Sequence, residues 1–316
     1  MKILANDGIA QMGIHALEEA GFEVVTTRVA QEQLIDYINK NNIVALLVRS
    51  ATQVQKEIID HCPGLKLIGR GGVGMDNIAV AYAREKGLHV VNTPAASSES
   101  VAELVFAHLF GAVRFLYSSN RQMPLEGDRH FTVLKKSYSK GTELRGKTLG
   151  IIGFGRIGQA TAKIALGVGM KVLYHDPFLE EAALSLNFFD GQTVFFGFTS
   201  NPMEELFKQA DFISLHVPAQ EGYILGKKEF EQMKQGAGII NASRGGVIDE
   251  VALVDALESG QLAFAGLDVF ESEPSPEIRL LMHPKISLSP HIGAATAESQ
   301  NRIAMELAEQ LIRLLK

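Results

Sequence analysis

The sequence has little cysteine, no excess of basic residues and no long apolar run, and each shortage excludes a class of protein. Cys62 is the one cysteine among 316 residues, so no disulfide forms within the chain and a reducing, cytoplasmic location is expected. The formal net charge is −6 and no Lys/Arg cluster stands out, which argues against a nucleic-acid partner. No apolar stretch of about 18 residues occurs, and none follows Lys2, so neither a membrane span nor a signal peptide is predicted.

The composition that remains is typical of a folded globular protein of two domains. Hydrophobic residues make up 46% of the chain and charged residues 21%. This balance argues against disorder, and 316 residues exceed the size of most single cores.

Short apolar runs alternate with helical patterns in two series, which predicts an α/β fold with two parallel sheets. The first series has strands at 2–4, 22–26, 44–48, 65–69 and 88–92, with helices at about 9–20, 31–41, 53–61 and 76–86. A helix opening at Glu99 then leads to the second series, with strand patterns beginning at 147, 171, 211, 237, 262 and 285, and an amphipathic helix at about 296–315. The Phe-rich segment 186–206 is predicted as a strand followed by a loop.

The stretch "LGIIGFGRIGQ" places Gly153, Gly155 and Gly158 in the G-x-G-x-x-G spacing of a dinucleotide-binding turn. An apolar strand precedes it and a helical run follows, which is the context that this motif requires. The first glycine permits the tight turn, the second lets the backbone approach a pyrophosphate, and the third lets the helix pack on the strand. Amide groups near Arg156 and Ile157 are expected to meet the phosphates.

The next strand pattern, "KVLYHD", ends in Asp176, which completes the fingerprint. Its carboxylate is expected to accept hydrogen bonds from the adenosine ribose hydroxyls and to repel a 2′-phosphate. The predicted cofactor is therefore NAD rather than NADP, and no metal site is predicted.

The hexapeptide "LSPHIG" at 288–293 raises a question that it does not answer alone. His291 after Pro290 is either a catalytic base at the end of a strand or a histidine that fills a turn. The dinucleotide turn favours the base, because hydride transfer from a carbon that bears a hydroxyl needs a group that takes the hydroxyl proton.

The chain resembles the NAD-dependent D-isomer-specific 2-hydroxyacid dehydrogenases over nearly its whole length. Besides the dinucleotide turn, the motifs "INASRGGVIDE", "AGLDVFESEP" and "SPHIGAAT" occur in family order. Within the family, "LLVRSAT", "RGGVGMDNI" and "NTPAASSESVAEL" are similar to members that oxidise 3-phosphoglycerate.

The resemblance implies a catalytic trio of Arg244, Glu273 and His291. A histidine has the pKa range of a base, a carboxylate beside it stabilises the imidazolium, and an arginine offers a planar fork to the substrate carboxylate. All three follow predicted strands, at the edge of the sheet where ligands bind. An ordinary ion pair is the alternative for Arg244 and Glu273.

The resemblance also implies contacts for the cofactor and the substrate. The further residues expected along the cofactor are Val217, Pro218, Ala242, Ser243, Asp268, Gly293 and Ala294, with Asp268 at the nicotinamide carboxamide. Val73 and Gly74 are expected to receive the substrate carboxylate on backbone N–H groups, and Arg49 with Ser50 to bind a distal phosphate. A solvated charge at a strand end is the alternative for Arg49.

The implied architecture inserts a cofactor domain, 97–292, into a substrate domain built from 1–96 and 293–316, and a homodimer is expected. The implied reaction is the oxidation of 3-phosphoglycerate, without serine feedback through a regulatory domain because the sequence ends at Lys316. Ser97 replaces a common Asn, which weakens the substrate assignment but not the reaction class. A hydroxypyruvate or glyoxylate reductase, and an NAD-sensing scaffold, remain as alternatives.

Overall fold

The computed structural model describes all 316 residues, which divide into two compact units. The first unit is formed by both ends of the chain, Met1–Ser100 and Ala294–Lys316, and the second by Val101–Gly293. Each unit has its own parallel sheet with helices on both faces. The prediction of an α/β fold with two parallel sheets is confirmed.

The sheet of the first unit has five parallel strands in the order β2-β1-β3-β4-β5. The strands are β1 Lys2–Ala5, β2 Glu23–Val25, β3 Ile43–Val48, β4 Leu67–Arg70 and β5 His89–Asn92. The helices are α1 Gln11–Glu19, α2 Leu34–Lys40, α3 Lys56–His61, α4 Val80–Glu85 and α12 Ala297–Leu315. A single 3-10 turn, Gln31–Gln33, precedes α2.

Alternating side chains of β1 explain why this sheet needs helices on both faces. Ile3 packs with Leu17 of α1 and Leu311 of α12, whereas Leu4 packs with residues of the helices on the other face. Strands buried on both faces read as continuous apolar runs, which is the pattern that the sequence shows. Cys62 lies in this core, and burial raises the pKa of its thiol to about 11, so the thiolate is disfavoured at neutral pH.

The sheet of the second unit has six parallel strands in the order β13-β12-β11-β10-β6-β7. The strands are β6 Thr148–Ile152, β7 Lys171–His175, β10 Phe212–Leu215, β11 Ala237–Asn241, β12 Leu262–Leu267 and β13 Ile286–Leu288. The helices are α5 Ser98–Val113, α6 Leu116–Ser137, α7 Arg156–Gly167, α8 Met203–Gln209, α9 Lys227–Gln232, α10 Glu250–Ser259 and α11 Ile278–Leu281, with α5 beginning in the first unit.

The strand order reverses at β6, which places a ligand crevice at one edge of this sheet. The chain runs from β6 to β7 on one side and then returns to β10 on the other side of β6. The loops after β6 and β10 therefore diverge, and a crevice opens outside their carboxyl ends. One face of the sheet packs against α5 and α7 and the other against α8, α9 and α10.

The Phe-rich segment 186–206 contains the strand β9 Thr193–Thr199, but its end belongs to α8 and not to a loop. The strand pairs with β8 Glu181–Asn187, which the sequence did not predict, in an antiparallel hairpin separate from the main sheet. The turn between them uses Gly191 at φ +86°, a conformation that favours glycine. Leu184 of β8 pairs with Phe196 of β9, and Leu184 is buried against the core of the unit.

None of the helices has, by itself, both the length and the apolar composition of a membrane span. The helices α5 and α6 meet the length and composition test only when they are taken together, and they are bent by 57° at the break between them.

Candidate active site

The glycine turn between β6 and α7 has the geometry that each glycine was expected to supply. Gly153 adopts φ +88°, and a Cβ there would collide with the carbonyl oxygen of His216. A Cβ on Gly158 would likewise collide with the carbonyl oxygen of Gly153, so the helix packs against the turn itself. By contrast, Gly155 at the N-cap of α7 faces open space, which leaves room for a ligand at the helix N-terminus.

Asp176 follows β7 directly and holds the glycine turn with its carboxylate. Its Oδ2 accepts a hydrogen bond from the N–H of Phe154 at 2.7 Å, and its Oδ1 accepts one from the N–H of Phe178 at 2.9 Å. A carboxylate has about four lone-pair sites, so acceptor positions remain for a further donor. The side chain is half-buried beside the turn, and its contact with ribose hydroxyls stays a prediction.

Arg244 lies on a turn after β11 that Asn241 organises. The Oδ1 of Asn241 accepts hydrogen bonds from the N–H and the hydroxyl of Ser243, and its Nδ2 donates to the carbonyl of Arg244 at 2.9 Å. The Arg244 guanidinium donates to the Ser243 carbonyl at 2.6 Å and is half-buried. The guanidinium therefore projects from a rigid turn at the carboxyl edge of the sheet.

Glu273 and His291 form a direct pair, although they follow different strands. The Oε2 of Glu273 lies 2.8 Å from the Nδ1 of His291, and its Oε1 accepts the N–H of Phe270 at 3.1 Å. Both side chains are partly exposed and line a pocket of about 410 Å³. A carboxylate at Nδ1 leaves Nε2 as the nitrogen that faces away from Glu273, which is the arrangement of an oriented acid–base histidine.

The turn that carries His291 is held by Asp268, which follows β12. The Asp268 carboxylate accepts the N–H of Ile292 on Oδ1 and the N–H of Gly293 on Oδ2, both at 2.8 Å. The N–H of His291 donates to the Asp268 carbonyl at 2.8 Å. Asp268 is only 1% exposed, so these contacts are dry, and its expected contact with the nicotinamide carboxamide stays a prediction.

The remaining residues predicted along the cofactor follow strands of the second unit, except one. After β10, Val217 is half-buried and Pro218 is exposed, whereas Ala242 and Ser243 after β11 are both buried. Gly293 is buried at the end of the His291 turn. Ala294 is the first residue of the C-terminal part of the first unit, and each of these contacts stays a prediction.

In the first unit, Arg49 and Ser50 follow β3 and line a pocket of about 380 Å³ at the carboxyl edge of the sheet. Arg28, which follows β2, lines the same pocket, and neither guanidinium forms an ion pair within its unit. The carboxylate of Asp7, which also lines this pocket, accepts hydrogen bonds from the N–H groups of Arg49 and Thr52 and from the Thr52 hydroxyl. The pocket thus has two arginines and a carboxylate engaged elsewhere.

Val73 and Gly74 lie on the loop after β4. Asn92 donates to the carbonyl of Val73 at 2.6 Å, while the N–H groups of Val73 and Gly74 donate to no backbone carbonyl. Free N–H groups in a loop of this kind can receive an anion.

The sequence did not single out Arg28 or the buried partners of Asp268. Arg28 carries one recognisable signal, because it comes three residues after β2, a strand of the same parallel sheet as β3, which Arg49 follows. His108, whose ring contacts Ser287 and Ser289, carries none, because it lies within an apolar helix far from them in sequence.

Comparison with known proteins identifies the family. The sequence profile of the D-isomer specific 2-hydroxyacid dehydrogenase, NAD binding domain, matches residues 106–293, which is more than half of the chain. The chain belongs to the D-isomer specific 2-hydroxyacid dehydrogenases. The matching profile describes an NAD-binding domain, so the NAD cofactor predicted from the glycine turn is confirmed.

Two relatives show how substrate names divide within the family. A hydroxypyruvate reductase of Thermotoga maritima is 42% identical over 93% of this chain and 91% of its own length. A D-3-phosphoglycerate dehydrogenase of Methanocaldococcus jannaschii is 41% identical over the whole chain, which spans 58% of that relative's length. Among solved structures, the TT0316 protein of Thermus thermophilus superposes with a TM-score of 0.83 at 32% identity, covering 100% of this chain and 97% of its own.

The residues of the glycine turn fit a dinucleotide. The open space at Gly155, the N-terminus of α7 and the free acceptor positions of Asp176 together match a pyrophosphate followed by a ribose.

Proposed function

We propose that the protein oxidises D-3-phosphoglycerate to 3-phosphohydroxypyruvate with NAD, a reaction that feeds serine synthesis, and that it acts in the cytoplasm. The observation that carries this choice of acid is the pocket of Arg28 and Arg49 in the first unit. A phosphate group carries nearly two negative charges and prefers the fork of an arginine. A pocket with two arginines that form no ion pair therefore suits a phosphate better than it suits a small uncharged substituent.

In this proposal His291 takes the proton of the C2 hydroxyl. The contact of Glu273 with Nδ1 fixes the ring so that Nε2 faces the substrate, and it stabilises the imidazolium that forms. The glycine turn and Asp176 would hold NAD, which would supply the acceptor for the C2 hydride when bound. In the reverse direction, His291 returns the proton to the C2 oxygen.

Arg244 binds the substrate carboxylate and the C2 oxygen in this proposal. Its turn is fixed by Asn241, so the guanidinium is already oriented before a substrate arrives. In the first unit, the N–H groups of Val73 and Gly74 are the proposed donors to an anionic group of the substrate, because they donate to no backbone carbonyl.

Reduction of hydroxypyruvate or glyoxylate is the second candidate, and the Thermotoga relative favours it. That relative is named a hydroxypyruvate reductase and matches this chain over 91% of its own length. The same catalytic residues serve both reactions, so only the distal pocket distinguishes them.

A homodimer is also proposed, through the second unit. Four apolar side chains of α6 are more than half exposed: Leu116, Leu125, Phe131 and Val133. A helix with so many exposed apolar residues is typical of an interface between subunits.

The deciding experiment measures kcat and KM for 3-phosphoglycerate, 3-phosphohydroxypyruvate, hydroxypyruvate and glyoxylate, with the protein and with the Arg28→Gln and Arg49→Gln variants. We expect each variant to raise KM for the phosphorylated acids by at least about tenfold, because a charge-assisted hydrogen bond contributes about 1.5–3 kcal/mol. The KM for glyoxylate, which has no distal group, should change by less than twofold.

Arg84→Gln removes the same charge from an exposed helix position of the same unit and serves as the control. If Arg28→Gln and Arg49→Gln behave like Arg84→Gln, or if the protein turns over glyoxylate and hydroxypyruvate but not the phosphorylated acids, the second candidate replaces the first.

A further inference from the structure

A buried histidine of the second unit has no part in the proposed reaction. His108 lies on α5 and is 5% exposed. Its Nδ1 lies 2.8 Å from the hydroxyl of Ser287, and its Nε2 lies 2.9 Å from the hydroxyl of Ser289. Both ring nitrogens are therefore occupied by side chains at the end of β13, the strand that leads to His291.

The directions of these hydrogen bonds follow from their last acceptor. The Ser289 hydroxyl lies 2.6 Å from Oδ1 of Asp268, and a carboxylate only accepts, so the single Ser289 proton goes to Asp268. Ser289 must then accept from His108, which places the ring proton on Nε2. Burial lowers the pKa of His108, so the ring is neutral at pH 7 and Nδ1 accepts the Ser287 proton.

The carboxylate at the end of this chain of hydrogen bonds is the one that holds the His291 turn. Asp268 accepts the N–H groups of Ile292 and Gly293, and its carbonyl accepts the N–H of His291. The turn needs this support because His291 adopts φ +53°, a left-handed conformation that is unfavourable for a residue with a Cβ.

The surrounding backbone also makes room for the histidine. A Cβ on Gly266 of β12 would lie 2.8 Å from the Cβ of His108, so the helix approaches this strand closely because position 266 is glycine. His108 consequently packs against Gly266 of β12, two residues before Asp268.

We propose that His108 is a positioning residue for His291: through Ser289 it fixes the Asp268 carboxylate that holds the 291–293 turn. The proposal rests on the role of His291 as the proton-transferring residue. The imidazole does not contact substrate or cofactor in this arrangement, and it acts only through the orientation of Asp268.

The test replaces His108 by leucine, which fills a similar volume and removes both hydrogen bonds. We expect kcat at saturating NAD and substrate to fall on the order of tenfold, because a loosened turn misplaces the reacting histidine, while KM and the Kd for NAD change by less than threefold. His108→Gln should recover most of kcat, since a carboxamide both donates and accepts. Failure of His108→Gln to exceed His108→Leu in kcat would overturn the proposal.

Leu109→Ala is the control for a merely structural effect. Leu109 is the next residue of α5, fully buried, and has no polar contact with Asp268. We expect it to lower the thermal midpoint at least as much as His108→Leu while kcat of the folded protein stays within twofold. An equal loss of kcat in both variants would show that any damage to α5 acts on the site, and the proposal would fail.

A double-mutant cycle with Ser289→Ala tests the route. If His108 acts through Ser289, the double variant loses little more kcat than His108→Leu alone. A loss in the double variant that equals the product of the two single losses would contradict the route.

His291→Ala separates this proposal from the proposed function. Full activity in His291→Ala would refute the role of His291 as the base, and with it the proposed function. An inactive His291→Ala together with an unchanged kcat in His108→Leu would refute only the positioning role of His108.

Discussion

At the scale of the residue, Asp176 combines two tasks that a substitution separates. Its carboxylate holds the glycine turn through Phe154 and, in our proposal, accepts the ribose hydroxyls of NAD while it repels a 2′-phosphate. Asp176→Asn retains one carbonyl oxygen for the turn and removes the charge. We predict that the ratio of kcat/KM for NADP to that for NAD rises at least tenfold, measured by steady-state kinetics with each cofactor.

Glu180→Gln is the matched control, because Glu180 is an exposed carboxylate on the loop that follows β7. It should leave the cofactor ratio unchanged. If Asp176→Asn leaves it unchanged too, the preference for NAD does not depend on Asp176.

The buried ring of His216 should make the free energy of unfolding depend on pH. Its Nδ1 is buried without a hydrogen-bond partner, and burial lowers the pKa of His216 to about 3. In the unfolded chain the pKa is about 6.5, so below that pH the unfolded state binds a proton that the native state does not. Stability is therefore fully present above about pH 6.5 and declines as the pH falls, by at most about 1.4 kcal/mol per pH unit for one proton.

Urea unfolding at a series of pH values between 7 and 5 measures how the free energy of unfolding changes with pH. This interval lies above the range where most carboxylates titrate. We expect His216→Asn to make the slope smaller, whatever its effect on stability at pH 7. His15→Asn, at an exposed position of α1, should leave the slope unchanged. A slope that is the same in His216→Asn and the unmodified protein would contradict the prediction.

Among the elements of the second unit, the turn after β11, which carries Arg244, packs closely against the turn after β12, which carries Glu273. Gly245 follows Arg244, and a Cβ on it would collide with the carbonyl oxygen of Phe270, at the start of the turn that carries Glu273. We predict that Gly245→Ala separates the turns, lowers the free energy of unfolding by about 1–3 kcal/mol and reduces kcat/KM at least tenfold. Thermal unfolding and steady-state kinetics measure the two effects.

Gly167→Ala tests whether any added methyl group has this effect. Gly167 is the last residue of α7 and has no atom within 4 Å of the Cβ position. Alanine there should keep stability and activity near those of the unmodified protein. If Gly245→Ala is equally harmless, the two turns do not depend on their close approach.

The elements that the sequence predicted well are those buried on both faces. The runs at 43–48, 148–152 and 237–241 are continuous apolar strands, and helical patterns separate them, so the parallel sheets follow from the sequence. The hairpin was missed because β8 has the sequence "EAALSLN", whose Ala, Leu and Glu favour a helix. Its strand conformation comes from pairing with the aromatic β9, a tertiary contact that local preference does not show.

At the scale of the whole molecule, what the sequence revealed about the site depended on whether a residue belonged to a motif. Gly153, Asp176 and His291 lie in stretches with a characteristic spacing or follow a strand, so they were found. Arg28 and His108 lie outside any motif. Arg28 and Arg49 line one pocket because they follow strands of the same sheet, and His108, on helix α5, is linked to Asp268 only through Ser289. The fold creates both arrangements, and no local sequence pattern shows them.

The exposed apolar face of α6 leads to the last prediction, on assembly. Leu125 is 77% exposed and Phe131 57%, a cost that burial against a second copy would remove. If α6 forms the dimer interface, the double variant Leu125→Asp with Phe131→Asp buries two carboxylates there and gives a monomer in sedimentation velocity at micromolar concentration. The unmodified protein should sediment as a dimer.

Ile278→Asp is the control, because Ile278 is similarly exposed but lies on α11, and this variant should remain dimeric. A double variant that stays dimeric would place the interface elsewhere, whereas a monomeric unmodified protein would refute the dimer itself.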